Sequence, residues 1–156
     1  MNHEHHYSVD VAWLGNRGTG TSGYRAYGRQ SAVTAAGKHP IDASADRTFH
    51  GDADRWNPEE LLLAALSECH MLSFLHVAVQ HGVVVTDYTD SATGTMVQEG
   101  DGGHFTSAVL RPVVTVAAPV DDELFTRMHH EAAGKCFIAN SVNFPVTHEP
   151  RAVVGG

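Results

Sequence analysis

The sequence predicts an α+β fold. Three observations carry this: short alternating segments open the chain, a long apolar helical segment follows, and further strand segments surround a second, shorter helix. Residues 7–14 (YSVDVAWL) alternate and read as a strand, and Gly15-Asn16-Arg17-Gly18-Thr19-Gly20 reads as a turn. Strand character resumes over 21–35, and a short extended piece begins at Ile41. Residues 43–56 form a polar loop long enough to suggest a functional role. Asn57 and Pro58 then supply an N-cap and a first helical position, with Glu59 and Glu60 suited to the positive end of the helix dipole. The helix runs from Leu61 to about His81 and stops at Gly82. Apolar residues cover most of its circumference, which predicts a helix buried on all sides.

Beyond it, 83–88 and 93–99 read as strands, 100–103 as a hairpin turn, and 104–110 with 112–117 as a bent strand. Asp121-Asp122-Glu123 opens the second helix, whose face is Leu124, Phe125, Met128 and Ala132 and which Gly134 closes. A last strand passes through Phe144 to His148. No linker or repeat interrupts the chain, so 1–156 is expected to be one domain, with 1–6 disordered and 152–156 frayed.

Composition narrows the function. With 18 acidic against 10 basic residues, nucleic acid and anionic membrane are poor partners. The start of the chain lacks an apolar signal region, and the apolar stretch near Leu61–Val79 is broken by Ser67, Glu68, His70, Ser73 and His76, so neither a secretory signal nor a membrane span is expected. A cytoplasmic protein with reduced thiols is the expectation. Twelve histidines are present, but no C-x-x-C, H-E-x-x-H or H-x-x-x-H pattern, so no metal or other cofactor is expected and the histidines read as surface or cap residues. The glycine turn lacks the Lys-Ser/Thr ending of a phosphate loop, and Ser141 has no evident catalytic partner.

The two cysteines are the chemical signal. Cys69 lies midway along the long helix, and Cys136 follows the second helix. Each alone reads first as a small buried apolar residue. Together they suit peroxide chemistry, which needs a thiolate, a cation that keeps it ionised, and a second thiol that traps the sulfenic acid. Cys69 is too deep in its helix to use the N-terminal dipole, so the cation must come from elsewhere, and arginine fits best.

The run Trp56-Asn57-Pro58-Glu59-Glu60-Leu61-Leu62-Leu63-Ala64-Ala65-Leu66-Ser67-Glu68-Cys69-His70 resembles the signature of the OsmC/Ohr thiol peroxidases, in which N-P-E-x-L-x-x-A opens a helix that carries a Cys farther along, the OsmC-like branch in particular. The resemblance implies an OsmC-like fold, an antiparallel sheet with a long central helix, in an intertwined homodimer with active sites at the subunit interface. It implies reduction of organic hydroperoxides, and of hydrogen peroxide less well. By position, Cys69 would be the peroxidatic thiol, Cys136 the resolving thiol, and Glu59 the carboxylate that orients an arginine. The reductant in this family is a thiol, typically a lipoyl-bearing protein. The arginine is expected to be Arg29, placed on a strand; Arg17, Arg47 and Arg55 are the alternatives. Phe137 stands where the family commonly has proline. Glu59 and Cys69 lie ten residues apart, about 15 Å along a helix, so the Glu59 serving a given Cys69 is expected to come from the partner subunit. Met71, Leu72, Phe74 and Phe137 would give the site an apolar mouth, although core packing is the simpler reading of Leu72 and Phe74. A different class of function, a non-catalytic dimeric protein binding a small apolar ligand, uses the same pocket; a zinc-dependent hydrolase is a third.

Overall fold

The computed structural model describes residues 2–155 and has the expected α+β composition. These residues divide into two compact units that meet in sequence between Leu61 and Leu62.

The first unit holds strands β1 (Asp10–Trp13), β2 (Ser31–Thr34) and β3 (Ile41–Ala43) in an antiparallel sheet of that order. The strand expected over 21–35 is only β2. Residues before it are turns, because their polar groups bond locally: Asn16 Oδ1 accepts from the Gly18 and Gly20 amides, and the Tyr24 and Tyr27 carbonyls accept from Arg29. Gly15 and Gly28 bring the two arms of this excursion together, with the Gly28 N–H donating to the Gly15 carbonyl at 2.7 Å. A Cβ at Gly15 would lie 1.9 Å from the Gly28 carbonyl oxygen. Gly15→Ala is therefore expected to cost about 1–3 kcal/mol or more, read as a lowered thermal midpoint; an unchanged midpoint would mean that the contact relaxes freely. The polar loop after β3 is ordered by Asp52, whose carboxylate accepts from Gln30 Nε2 and Ser44 Oγ.

Helix α1 (Pro58–Gln80) begins where the sequence places it. Asn57 Oδ1 accepts the Glu60 amide at 2.8 Å, and the Glu60 carboxylate reaches back to the Asn57 amide at 3.5 Å, a capping box. Gly82, at φ 68°, ends it.

The second unit contains β4 (Val85–Asp90), β5 (Thr93–Glu99), β6 (Gly102–Leu110), β7 (Pro112–Val116), α2 (Asp122–Lys135), β8 (Val146–His148) and β9 (Arg151–Val154). Its sheets run β4-β7-β9 and β5-β6-β8. The β4–β7 and β5–β6 pairs are antiparallel, whereas β8 and β9 join β6 and β7 in parallel. Residues 152–154, expected to fray with the tail, are held together with Arg151 by a strand pairing to β7. Asp121 caps α2, accepting from the Glu123 and Leu124 amides; the helix passes through Gly134, expected to close it, and ends at Cys136.

The core is built from Phe74, Val77 and Ala78 of α1, Val114 and Val116 of β7, and Phe125, Met128 and Ala132 of α2. By length and composition α1 could cross a membrane, but this face is seated in the core. The expectation that α1 is buried all round is corrected: of its 23 residues only Leu66, His70, Phe74, Val77 and Ala78 are buried. A single chain has one core to offer one face of the helix, and Leu72 and Val79 on other faces are 57% and 77% exposed.

Candidate functional site

The buried residues of α1 fall at 66, 70, 74, 77 and 78, one stripe of the helix. Cys69 lies beside that stripe, half-buried, and lines a groove of about 690 Å³ with Leu72, Ser73 and His76 of α1 and Gly134, Lys135 and Phe137 around the end of α2. Leu72 and Phe137 supply much of its apolar wall and are 57% and 73% exposed. Phe74 is core, as the simpler reading of it held, but Leu72 is not.

Cys136 is wholly buried, at the C-terminal boundary of α2. The fold sets it beside Cys69, near enough for each sulfur to feel the other, although 67 positions separate them. Both thiols are free. Burial, and then the neighbouring Cys69, push the Cys136 thiol up to about 11, so it keeps its proton. The Ala139 amide donates to Cys136 Sγ at 3.4 Å, and Asn140 Nδ2 ties down the Cys136 carbonyl at 2.9 Å. Ser141 Oγ donates to the Phe137 carbonyl, a local turn bond rather than part of a nucleophilic triad.

Arg29 and Glu59 belong to the first unit. Arg29 is not on a strand as expected; it precedes β2 by two residues. Its rigidity has another source. Nη1 and Nη2 each donate to a backbone carbonyl at 2.6 Å, of Tyr27 and Tyr24, and the guanidinium lies 4.1 and 4.6 Å from the Tyr27 and Tyr24 ring centres. Glu59 is half-buried in the first turn of α1. Among the alternatives, Arg17 and Arg47 are exposed, and Arg55 pairs with Asp42 at 3.7 Å.

The sequence reading missed a cluster of histidines. His70 and His129 are 2% and 0% exposed, not surface residues. His70 Nε2 and His129 Nδ1 share a hydrogen bond of 3.0 Å, and their rings stack at 5.3 Å. His148 of β8 stacks on His70 at 5.2 Å. Phe74 lies face to face with the His129 ring at 4.0 Å. The signal was present in spacing: His70 sits midway between Leu66 and Phe74 at four-residue intervals, and His129 follows Met128 on the buried face of α2. Among the described residues, no group of three or more His, Cys, Asp or Glu is placed to hold a metal ion.

Burial, followed by the neighbouring His148, lowers His70 to about 4, partly opposed by Asp90; burial, then His70 and His148, lowers His129 to about 3. Both imidazoles bind a proton less readily folded than unfolded. Their contribution to stability is therefore complete above the unfolded value of about 6.5 and is lost as pH falls through about 4 and 3. The urea midpoint is expected to be highest near pH 7 and to fall on acidification, beginning near pH 6.5. A midpoint that rose on acidification to pH 5 would overturn the neutral assignment.

The model of OsmC-like proteins matches residues 51–151. An OsmC-like protein of unknown function, VCA0330 from Vibrio cholerae O1 biovar eltor str. N16961, is 32% identical, with a TM-score of 0.83, over 94% of this chain and 99% of that one. An organic hydroperoxide resistance protein from Elizabethkingia anophelis superimposes with a TM-score of 0.70 at 17% identity, over 98% and 100% of the two chains. A protein named organic hydroperoxide resistance protein OsmC, from Legionella pneumophila, gives 0.66 at 17% identity, over 96% and 98%. No curated protein matches the chain.

Proposed function

Because this chain belongs to the OsmC-like family, we propose that it is a cytoplasmic thiol peroxidase that reduces organic hydroperoxides, and hydrogen peroxide less well. The observation that carries the reading is the pairing of a half-buried Cys69 in an open apolar groove with a buried Cys136 that keeps its proton. Relatives of similar fold named organic hydroperoxide resistance proteins point the same way.

The Cys69 thiolate attacks the terminal peroxide oxygen. The O–O bond breaks, the alkoxide leaves and takes up a proton, and Cys69 becomes a sulfenic acid. Cys136 then attacks that sulfur. The S–O bond breaks, water leaves with the Cys136 proton, and a Cys69–Cys136 disulfide remains. The peroxide has gained the two electrons that the sulfurs lost. An external dithiol, a lipoyl-bearing protein in this reading, returns them. Arg29 stabilises the charge on the departing oxygen; two carbonyl bonds and two tyrosine rings hold its guanidinium in one place.

Glu59 orients that arginine and is supplied by the second subunit of a homodimer. The apolar surface left uncovered on α1, including Leu72 and Val79, supports a second copy as its cover.

The test treats reduced protein with cumene hydroperoxide, counts thiols and maps peptides by mass spectrometry. Loss of two thiols per chain and a Cys69–Cys136 crosslink are expected. Thiols that survive peroxide, together with binding of an apolar dye in the groove, would favour a non-catalytic binding protein.

A further inference from the structure

The imidazole cluster ties together the elements that carry the two sulfurs. His70 is the residue after Cys69 on α1, and His129 is seven residues before Cys136 on α2. The 3.0 Å His70–His129 bond is the buried polar link between the two helices. His148 adds β8 to the stack. His129 Nε2 is buried with no partner, so this ring is held by one hydrogen bond and by Phe74, Phe125 and the other imidazoles.

We propose that the His70–His129–His148 stack is a positioning clasp that keeps Cys136 in register with Cys69 for the resolving step, and that it releases when it takes up protons. The proposal rests on the peroxidase reading above.

The surroundings favour release over stabilisation of a charged ring. From β4, Asp90 is the one carboxylate that acts on His70, and its oxygens are already committed to Ser67 Oγ and the Arg111 amide. Tyr88, also on β4, has a buried hydroxyl without a partner. From α2, the exposed His130 ring lies edge-on to His148 at 5.6 Å and adds positive charge when protonated. No carboxylate is among the groups acting on His129. At the outer edge of the same helix pair, His81 meets Glu131 at 3.0 Å, and this contact strengthens on protonation. It therefore opposes release but does not touch the stack. For each imidazole that charges only on opening, the open population rises up to about tenfold per pH unit below 6.5.

The experiment uses full-length reduced protein, one equivalent of cumene hydroperoxide and excess dimedone. Intact-mass spectrometry reads how the Cys69 sulfenic acid divides between disulfide and dimedone adduct from pH 7.5 to 5. The wild type is expected to lose disulfide share progressively as the pH falls. His129→Asn, whose amide can still bond His70 but does not titrate, is expected to lose clearly less. Trap chemistry cancels because both proteins are compared at the same pH. A flat wild-type ratio, or an equal fall in both proteins, overturns the proposal. If His129→Asn does not fold, hydrogen exchange of the wild type decides. Protection of α2 is expected to fall over the pH range in which the disulfide is lost, and protection that persists while the disulfide is lost overturns the clasp. Absence of both adduct and disulfide at every pH would instead defeat the peroxidase reading; the exchange measurement then still tests the clasp by itself.

Discussion

Cys69→Ser is expected to lower peroxide turnover at least about 1,000-fold, as removal of a nucleophile does in other covalent catalysts. Serine preserves size and the contact with Cys136, so the fold should melt at nearly the wild-type temperature. What disappears is the ionisable sulfur. Cys136 cannot take over, because it is wholly buried and burial raises its thiol to about 11. The thiol count after cumene hydroperoxide should therefore stay at the single remaining Cys136. Cys136→Ser should behave differently. It should still consume one equivalent of peroxide and then stop at a sulfenic acid that dimedone captures. Persistent turnover by Cys69→Ser would remove Cys69 from the reaction.

Phe74→Ala is the substitution with the largest expected cost to the fold. Phe74 is fully buried and meets Tyr88, Phe125 and the face of His129. Its removal deletes a large apolar side chain and leaves a space that β4, α1 and α2 cannot all close. A loss of about 3–5 kcal/mol is expected, a decrease of roughly 10 °C in thermal midpoint for a chain of this length. Because Phe74 also backs the His129 ring, part of that cost should couple to His129. A double-mutant cycle with His129→Asn is the measurement, and strict additivity would mean that the stacked rings do not support each other.

The elements that were legible in the sequence are those with local punctuation. Asn57-Pro58 and Gly82 bound α1 to within a residue or two, and Asp121 marks the start of α2. Cys69 and Cys136 stood out because they are the only sulfhydryls and both attach to helices. Their contact was not legible, since nothing local in residues 70–135 says which face of α2 meets α1. The same gap explains α1. A helix apolar on all sides states that it must be covered, not that one chain covers it. His70 and His129 were misread by residue type, although their spacing matches their buried neighbours. β2 was overextended because a Tyr- and Ser-rich stretch has strand character until its carbonyls find Arg29. Arg29 was expected to owe its rigidity to a strand, whereas two tyrosines provide it.

Val113–Val116 of β7 is flanked on one side by β4 and on the other by Arg151–Val154. Arg151–Val154 thus shields a valine-rich central strand whose amides and carbonyls would otherwise lie open to any passing extended chain. Cutting the chain between Pro150 and Arg151 would bare that edge and leave the protein prone to pair with itself and precipitate.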